Sequence, residues 1–169
     1  TSLKKKYEPK MNELSKKLIS YIRNKQTSVK SVLEEMKNLS NQIYVHKHSS
    51  SRWLANRYFR KWINKPLHNL HQNETGNKEF NYTPLIYSSI KNNYNVVKEL
   101  IEAGADLNKK SKIGDTALIK VIKRNHIKIV ELICQKIIAR RFDSTTADEG
   151  DGEQIINGAI RFVESFLKK

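Results

Sequence analysis

Thr83-Pro-Leu-Ile and Thr116-Ala-Leu-Ile stand 33 residues apart, and the same offset pairs Asn92 with Asn125, Val96 with Ile129, Val97 with Val130 and Leu100 with Ile133. A period of this length is too short for a domain and too long for one element. It restricts the chain to stacked supersecondary units, each burying its apolar face against the next. Each unit reads as two short helices. Thr83 and Thr116 precede apolar stretches and can cap them through their hydroxyls. Asn92 and Asn125 stand where a helix ends in the left-handed conformation, which asparagine tolerates. Gly104 supplies a positive φ after the second helix. Leu85 and Leu118, with Val96, Val97, Ile129 and Val130, are placed to fill one core between helix pairs.

These residues resemble ankyrin repeats. The first unit reads Thr83-Pro-Leu-Ile-Tyr-Ser-Ser, then Val96-Val-Lys-Glu-Leu-Ile-Glu-Ala-Gly-Ala-Asp-Leu-Asn108, and the run Gly104-Ala-Asp-Leu-Asn108 is close to diagnostic. The second reads Thr116-Ala-Leu-Ile-Lys-Val-Ile, Asn125-His126 and Ile129-Val-Glu-Leu-Ile-Cys134, until Ile137-Ile-Ala-Arg-Arg141 replaces the family's Gly-Ala-Asp. Asn92 and Asn125 replace the family's turn glycine. His126 stands where the family places a histidine after that turn, which implies a structural hydrogen bond.

Three further helical faces precede the repeats. Met11, Leu14, Leu18, Tyr21 and Ile22 recur at three and four residues from a start at Pro9. Val29, Val32, Leu33, Met36, Leu39 and Ile43 follow Ser28 as N-cap. Trp53, Leu54, Tyr58, Trp62 and Ile63 end near Asn64-Lys65-Pro66. The polar run His71–Lys78 reads as a loop. After Arg141 the stretch 143–152 is acidic and small, and Ile155, Ile156, Ala159, Ile160, Val163, Phe166 and Leu167 then form an amphipathic face. The expected fold is therefore all-α: an ankyrin-repeat solenoid of two clear repeats over 79–142, with a degenerate third at the C-terminal end. Residues 1–78 form an N-terminal helical region, 143–152 an acidic loop and 153–169 a C-terminal helix. Two repeats bury little alone, so Trp53–Ile63 is expected against the first repeat and Ile155–Leu167 against the second.

Of 169 residues, 32 are Lys or Arg and 17 Asp or Glu, a formal net charge of +15. Residues 1–80 carry +11, 81–142 carry +7 and 143–169 carry −3. A field of that sign draws acidic proteins, nucleic acid or anionic membranes. No apolar run approaches the roughly 20 residues that cross a bilayer. The single cysteine, Cys134, rules out an intrachain disulfide and a thiolate cluster and suits a reducing compartment. It lies in the apolar stripe of the second repeat and reads as core. Phosphate loops, serine elbows and zinc-protease helices have no counterpart here, so no catalytic residue and no cofactor is assigned. His46-Lys-His48 and His68-Asn-Leu-His71 read as solvated loop histidines, not metal ligands. Asp148–Glu153 lacks the alternating pattern of a calcium loop.

The resemblance implies a non-enzymatic protein-binding module that works through repeat tips and the exposed side of each first helix. Carried over by position, that surface comprises Glu79, Phe80, Tyr82, Ile90 and Lys91, then Lys110, Lys112, Ile113, Asp115, Lys123 and Arg124. Its bias is basic, with Phe80, Tyr82 and Ile113 as apolar anchors, which suits an acidic protein partner met by a monomer. The second reading is binding to nucleic acid or anionic membrane through Arg52, Arg57, Arg60 and Lys61, interleaved with aromatics, and through Lys4–Lys6. A third takes the chain, which lacks an initiator Met, as the targeting part of a longer enzyme. Lys, Asn and Ile make up 58 of the 169 residues. In that setting the repeats resemble ankyrin-repeat effectors of intracellular bacteria such as Legionella, which would place the chain in host cytoplasm.

Overall fold

A computed structural model describes residues 2–44, 51–66, 81–142 and Arg161. Among the described residues every regular element is a helix: α1 (Ser2–Arg23), α2 (Lys30–Tyr44), α3 (Ser51–Ile63), α4 (Pro84–Ile90), α5 (Tyr94–Glu102), α6 (Ala117–Lys123) and α7 (Ile127–Phe142). The acidic run 143–152 and the amphipathic face from Ile155 to Leu167 lie outside the described residues.

The first two helices are built by burial and by backbone caps. α1 starts at Ser2 and runs through Pro9, where the sequence pattern placed its start. A proline inside a helix removes one hydrogen bond and crowds the carbonyl four residues back, at about 3 kcal/mol. Pro9 and Lys5 are both exposed, so water can serve that carbonyl. Met11, Leu14, Leu18 and Ile22 are 5% exposed or less, and at about 1.5–3 kcal/mol each their burial outweighs the defect. α1 ends with Lys25 in the left-handed region at φ 53°. There Lys25 N–H donates to Ile22 O at 3.2 Å and Gln26 N–H to Tyr21 O at 3.0 Å, the Schellman pattern. α2 is approached by Ser28, whose Oγ accepts from Lys30 N–H at 3.2 Å.

The buried face of α3 is Ala55, Phe59, Trp62 and Ile63, whereas Trp53 is 61% exposed. The edge-on aromatic chain Tyr44–Tyr58–Trp62, with centroids 5.8 and 6.2 Å apart, fixes that orientation against α2. Trp53 is thereby turned to solvent, a correction to the apolar face read from sequence.

The repeat units form as their caps dictate. Thr83 Oγ1 accepts from Ile86 N–H at 3.2 Å and Thr116 Oγ1 from Ile119 N–H at 3.3 Å. Asn92 and Asn125 hold φ 56° and 57°, and each closes its helix with the same paired bonds: Asn93 N–H to Ser88 O at 3.1 Å and His126 N–H to Val121 O at 3.0 Å. Gly104, at φ 91°, ends α5 in the same way, with Ala105 N–H on Leu100 O at 2.9 Å.

α4 lies between α1 and α6, with α5 and α7 packed as the outer layer. Pro84 to Ser89 are all buried, Tyr87 among them at 1% exposure. The helix that lines the first repeat is thus α1. α3 packs chiefly on α2 and meets the first repeat with Arg60, which lies beside Gly104, and just past its end, where Asn64 Oδ1 accepts from Asp106 N–H at 2.8 Å. Polar bonds complete the junction. Glu99 of α5 accepts from Ser28 Oγ at 2.7 Å and from Val29 N–H at 2.6 Å, while Asn93 Nδ2 donates to Gln26 O at 2.8 Å. One continuous apolar core runs from Met11 to Ile133 across both regions.

Candidate protein-binding surface

The connection between the repeats, 105–115, carries the most prominent exposed group. Its roots are fixed: Ala105 and Leu107 are 0% and 3% exposed and belong to the core. Asp106 Oδ1 accepts from Asn108 N–H at 2.9 Å, which turns the chain outward. Ser111 N–H donates to Asp115 O at 2.9 Å and Gly114 N–H to Ser111 O at 3.0 Å, with Gly114 at φ 84°. This is a three-residue hairpin tip whose left-handed position glycine fills without strain. Lys109, Lys110, Lys112 and Ile113 project from it, all exposed, Ile113 at 54%.

Asp115 is the hinge pin of this loop and is not part of its surface. Its side chain is 10% exposed, and its carboxylate pairs with Lys120 Nζ at 2.8 Å and Lys123 Nζ at 3.0 Å. Hydrogen bonds from Lys120 and then Lys123 hold the carboxyl below its ordinary pKa, against the opposing pull of burial. Burial works against the Lys120 ammonium, but the Asp115 and Tyr82 hydrogen bonds prevail and its pKa is raised. Tyr82 is also withdrawn: it is 8% exposed, with Lys120 Nζ 5.3 Å above its ring. Sequence position placed both Tyr82 and Asp115 on the contact face. The structure takes them out, because the aromatic ring and the carboxylate meet Lys120 beneath the surface.

The remaining assigned residues divide. Lys123 and Arg124 are exposed at the end of α6, beside the hairpin, though Lys123 is committed to Asp115. Ile90 and Lys91 are half-buried, with Lys91 Nζ 5.5 Å from the Tyr87 ring. Glu79 and Phe80 lie outside the described residues. Lys109 was missed, although the Lys109-Lys110 pair directly after the Asp106–Asn108 turn is a readable sign of an exposed tip. Ile119, at 37% exposure, was missed as well. Its counterpart Ile86 is 1% exposed because another repeat follows it. Arg52, Arg57, Arg60 and Lys61 all stand exposed on α3, well apart from the hairpin in sequence.

Other chemistry finds little purchase. His126 Nδ1 lies 3.0 Å from Ser89 O and ties the second repeat to the end of α4. Cys134 is half-buried, and burial pushes its thiol pKa up, which works against a thiolate nucleophile. Among the described residues no group of three His, Cys, Asp or Glu side chains is placed to hold a metal, and no helix is long and apolar enough to cross a membrane. Both histidine pairs and the acidic run fall outside those residues.

A family model described as ankyrin repeats (3 copies) matches residues 52–147, more than half of the chain. The 33-residue offset counts two units; the family model is described for three copies, and its match opens at Arg52, so it takes in all of α3 but its first residue. No curated protein and no solved structure matches the chain.

Proposed function

Since its residues 52–147 place the chain in the ankyrin-repeat family, whose repeats are generally protein–protein interaction modules, we propose that it binds an acidic protein segment through the α5–α6 hairpin and the adjoining end of α6. The observation that supports this is the tip itself: Lys109, Lys110 and Lys112 surround an exposed Ile113 on a loop held in shape by Asp115. A fixed loop loses little conformational entropy on binding. Three cations around one aliphatic anchor select carboxylates flanking an apolar side chain. Arg124 extends the same charge along α6.

Selection from a random peptide library on immobilised protein tests the reading. Enriched peptides should be acidic with an apolar residue among the acids, and K109E/K110E/K112E should lose them while keeping its helical circular dichroism and melting temperature. Lys123 is spared in that variant because its ammonium supports Asp115. Enrichment of neutral or basic peptides, or equal binding by the variant, overturns the assignment.

A further inference from the structure

The outward face of α3 is a second surface, independent of the hairpin. Residues 51–66 contain Arg52, Arg57, Arg60, Lys61 and Lys65 and no acidic residue. The exposed positions fall in two adjacent rows at four-residue spacing: Arg52, Asn56 and Arg60, then Trp53, Arg57 and Lys61. Trp53 is 61% exposed, the largest exposure among the exposed large hydrophobics of the described residues. Arg57 stands over its ring, 5.3 Å from the centroid. Burial does not explain this tryptophan, since Ala55, Phe59, Trp62 and Ile63 already anchor the helix to the core.

We propose that this face docks the protein on an anionic phospholipid surface. α3 is held rigidly by its opposite side. Asn56 and Arg60 line the cleft between α3, α2 and α5, so the row of Trp53, Arg57 and Lys61 is the ridge that a plane meets, with Arg52 beside it. An indole with flanking guanidiniums suits the level of the lipid headgroups, where the ring is half in hydrocarbon and the cations meet phosphate and carboxylate. Each cation near such a surface contributes about 1 kcal/mol, or about a fivefold gain in partition. A nucleic acid strand is the poorer fit. It needs several stacking platforms along a groove, whereas Tyr58 and Trp62 are engaged with Tyr44 and with each other, leaving one ring on a ridge.

The test is partition of the full chain onto phosphatidylcholine vesicles with and without phosphatidylserine, followed by sedimentation and tryptophan emission. Binding is expected only with phosphatidylserine, weakening as salt rises, with a blue shift that W53F abolishes. R52E/R57E/K61E should reduce partition by more than about 100-fold with unchanged circular dichroism. K109E/K110E/K112E should bind vesicles within about fivefold of the parent, that variant removing three cations from a different surface. Absence of phosphatidylserine-dependent binding, a shift that survives in W53F, or binding to a single-stranded oligonucleotide in preference to vesicles overturns the proposal.

Discussion

The two repeats share a frame and differ in what surrounds them. α4 and α6 have seven residues each, open on Thr83 and Thr116, and close on Asn92 and Asn125. Even the connections before them agree: Asn81 and Gly114, one period apart, both hold a positive φ, at 47° and 84°. Yet α4 is buried from Pro84 to Ser89, whereas α6 buries only Ala117 and Val121. The outer helices diverge further, for α5 stops after nine residues and α7 runs for 16. Local caps therefore set the shape of a unit, and its neighbours set how much each side chain is worth.

The sharpest test of that division is to truncate one position in both units. Leu85 is 1% exposed between α1 and α6, so Leu85→Ala removes a sealed side chain and should cost about 3 kcal/mol in urea denaturation. Leu118, one period later, is half-buried. Leu118→Ala should cost about 1 kcal/mol, because water can fill part of the space. Equal losses would mean that the N-terminal helices do not distinguish the two units.

The second test exchanges terminators. Gly104 ends α5 at φ 91°, and a Cβ there would stand 3.0 Å from Arg60 Nε, the end of a movable side chain. Gly104→Ala should cost about 1–2 kcal/mol, mainly from left-handed strain. At the equivalent position the second repeat has Ile137, which sits inside α7, so nothing stops that helix. Ile137→Gly should lower amide exchange protection over 138–142 at a stability cost of about 1 kcal/mol. Unchanged protection there would show that α7 is prolonged by packing and not by the missing glycine.

What the sequence made legible follows the same split. The 33-residue offset located α4 to α7, both threonine caps and both left-handed asparagines, since each depends on a few neighbouring residues. Burial of Tyr82 and Asp115 was not legible. It depends on Lys120, which stands where the first repeat has Tyr87, and on that lysine reaching back to the residue before its own cap. Nor could periodicity choose the face of α3. Trp53 and Trp62 are both aromatic, and only packing against Tyr44 and Tyr58 decides which one is buried. α1 lining α4 was equally hidden, because contact between residues so far apart in sequence leaves no local pattern. Pro9 also signalled a start that burial of the helix overrode.

The smallest expected effect concerns the charged group that the second repeat has and the first lacks. Tyr82 and Asp115 are equivalent positions, as are Tyr87 and Lys120, so one unit holds aromatics where the other holds an ion pair. Lys123 is 61% exposed, which screens its half of the cluster. Lys120 is 14% exposed, but the amide that Asp115→Asn introduces can still accept from its Nζ, so the change should cost about 1 kcal/mol at neutral pH. The pH dependence identifies the source. Asp115 titrates lower in the folded chain than when unfolded, so its contribution is complete above the unfolded aspartate value of about 3.9 and fades as pH falls through the folded value. Lys120 is raised, so the same contribution is present below about 10.4 and is lost as pH climbs through the folded lysine value. The stability gap between the parent and D115N, followed by urea denaturation, should be flat from about pH 5 to 9 and close on either side. A gap that stays constant down to the lowest pH at which the parent still folds would mean that the substitution acts on the shape of the hairpin and not on charge.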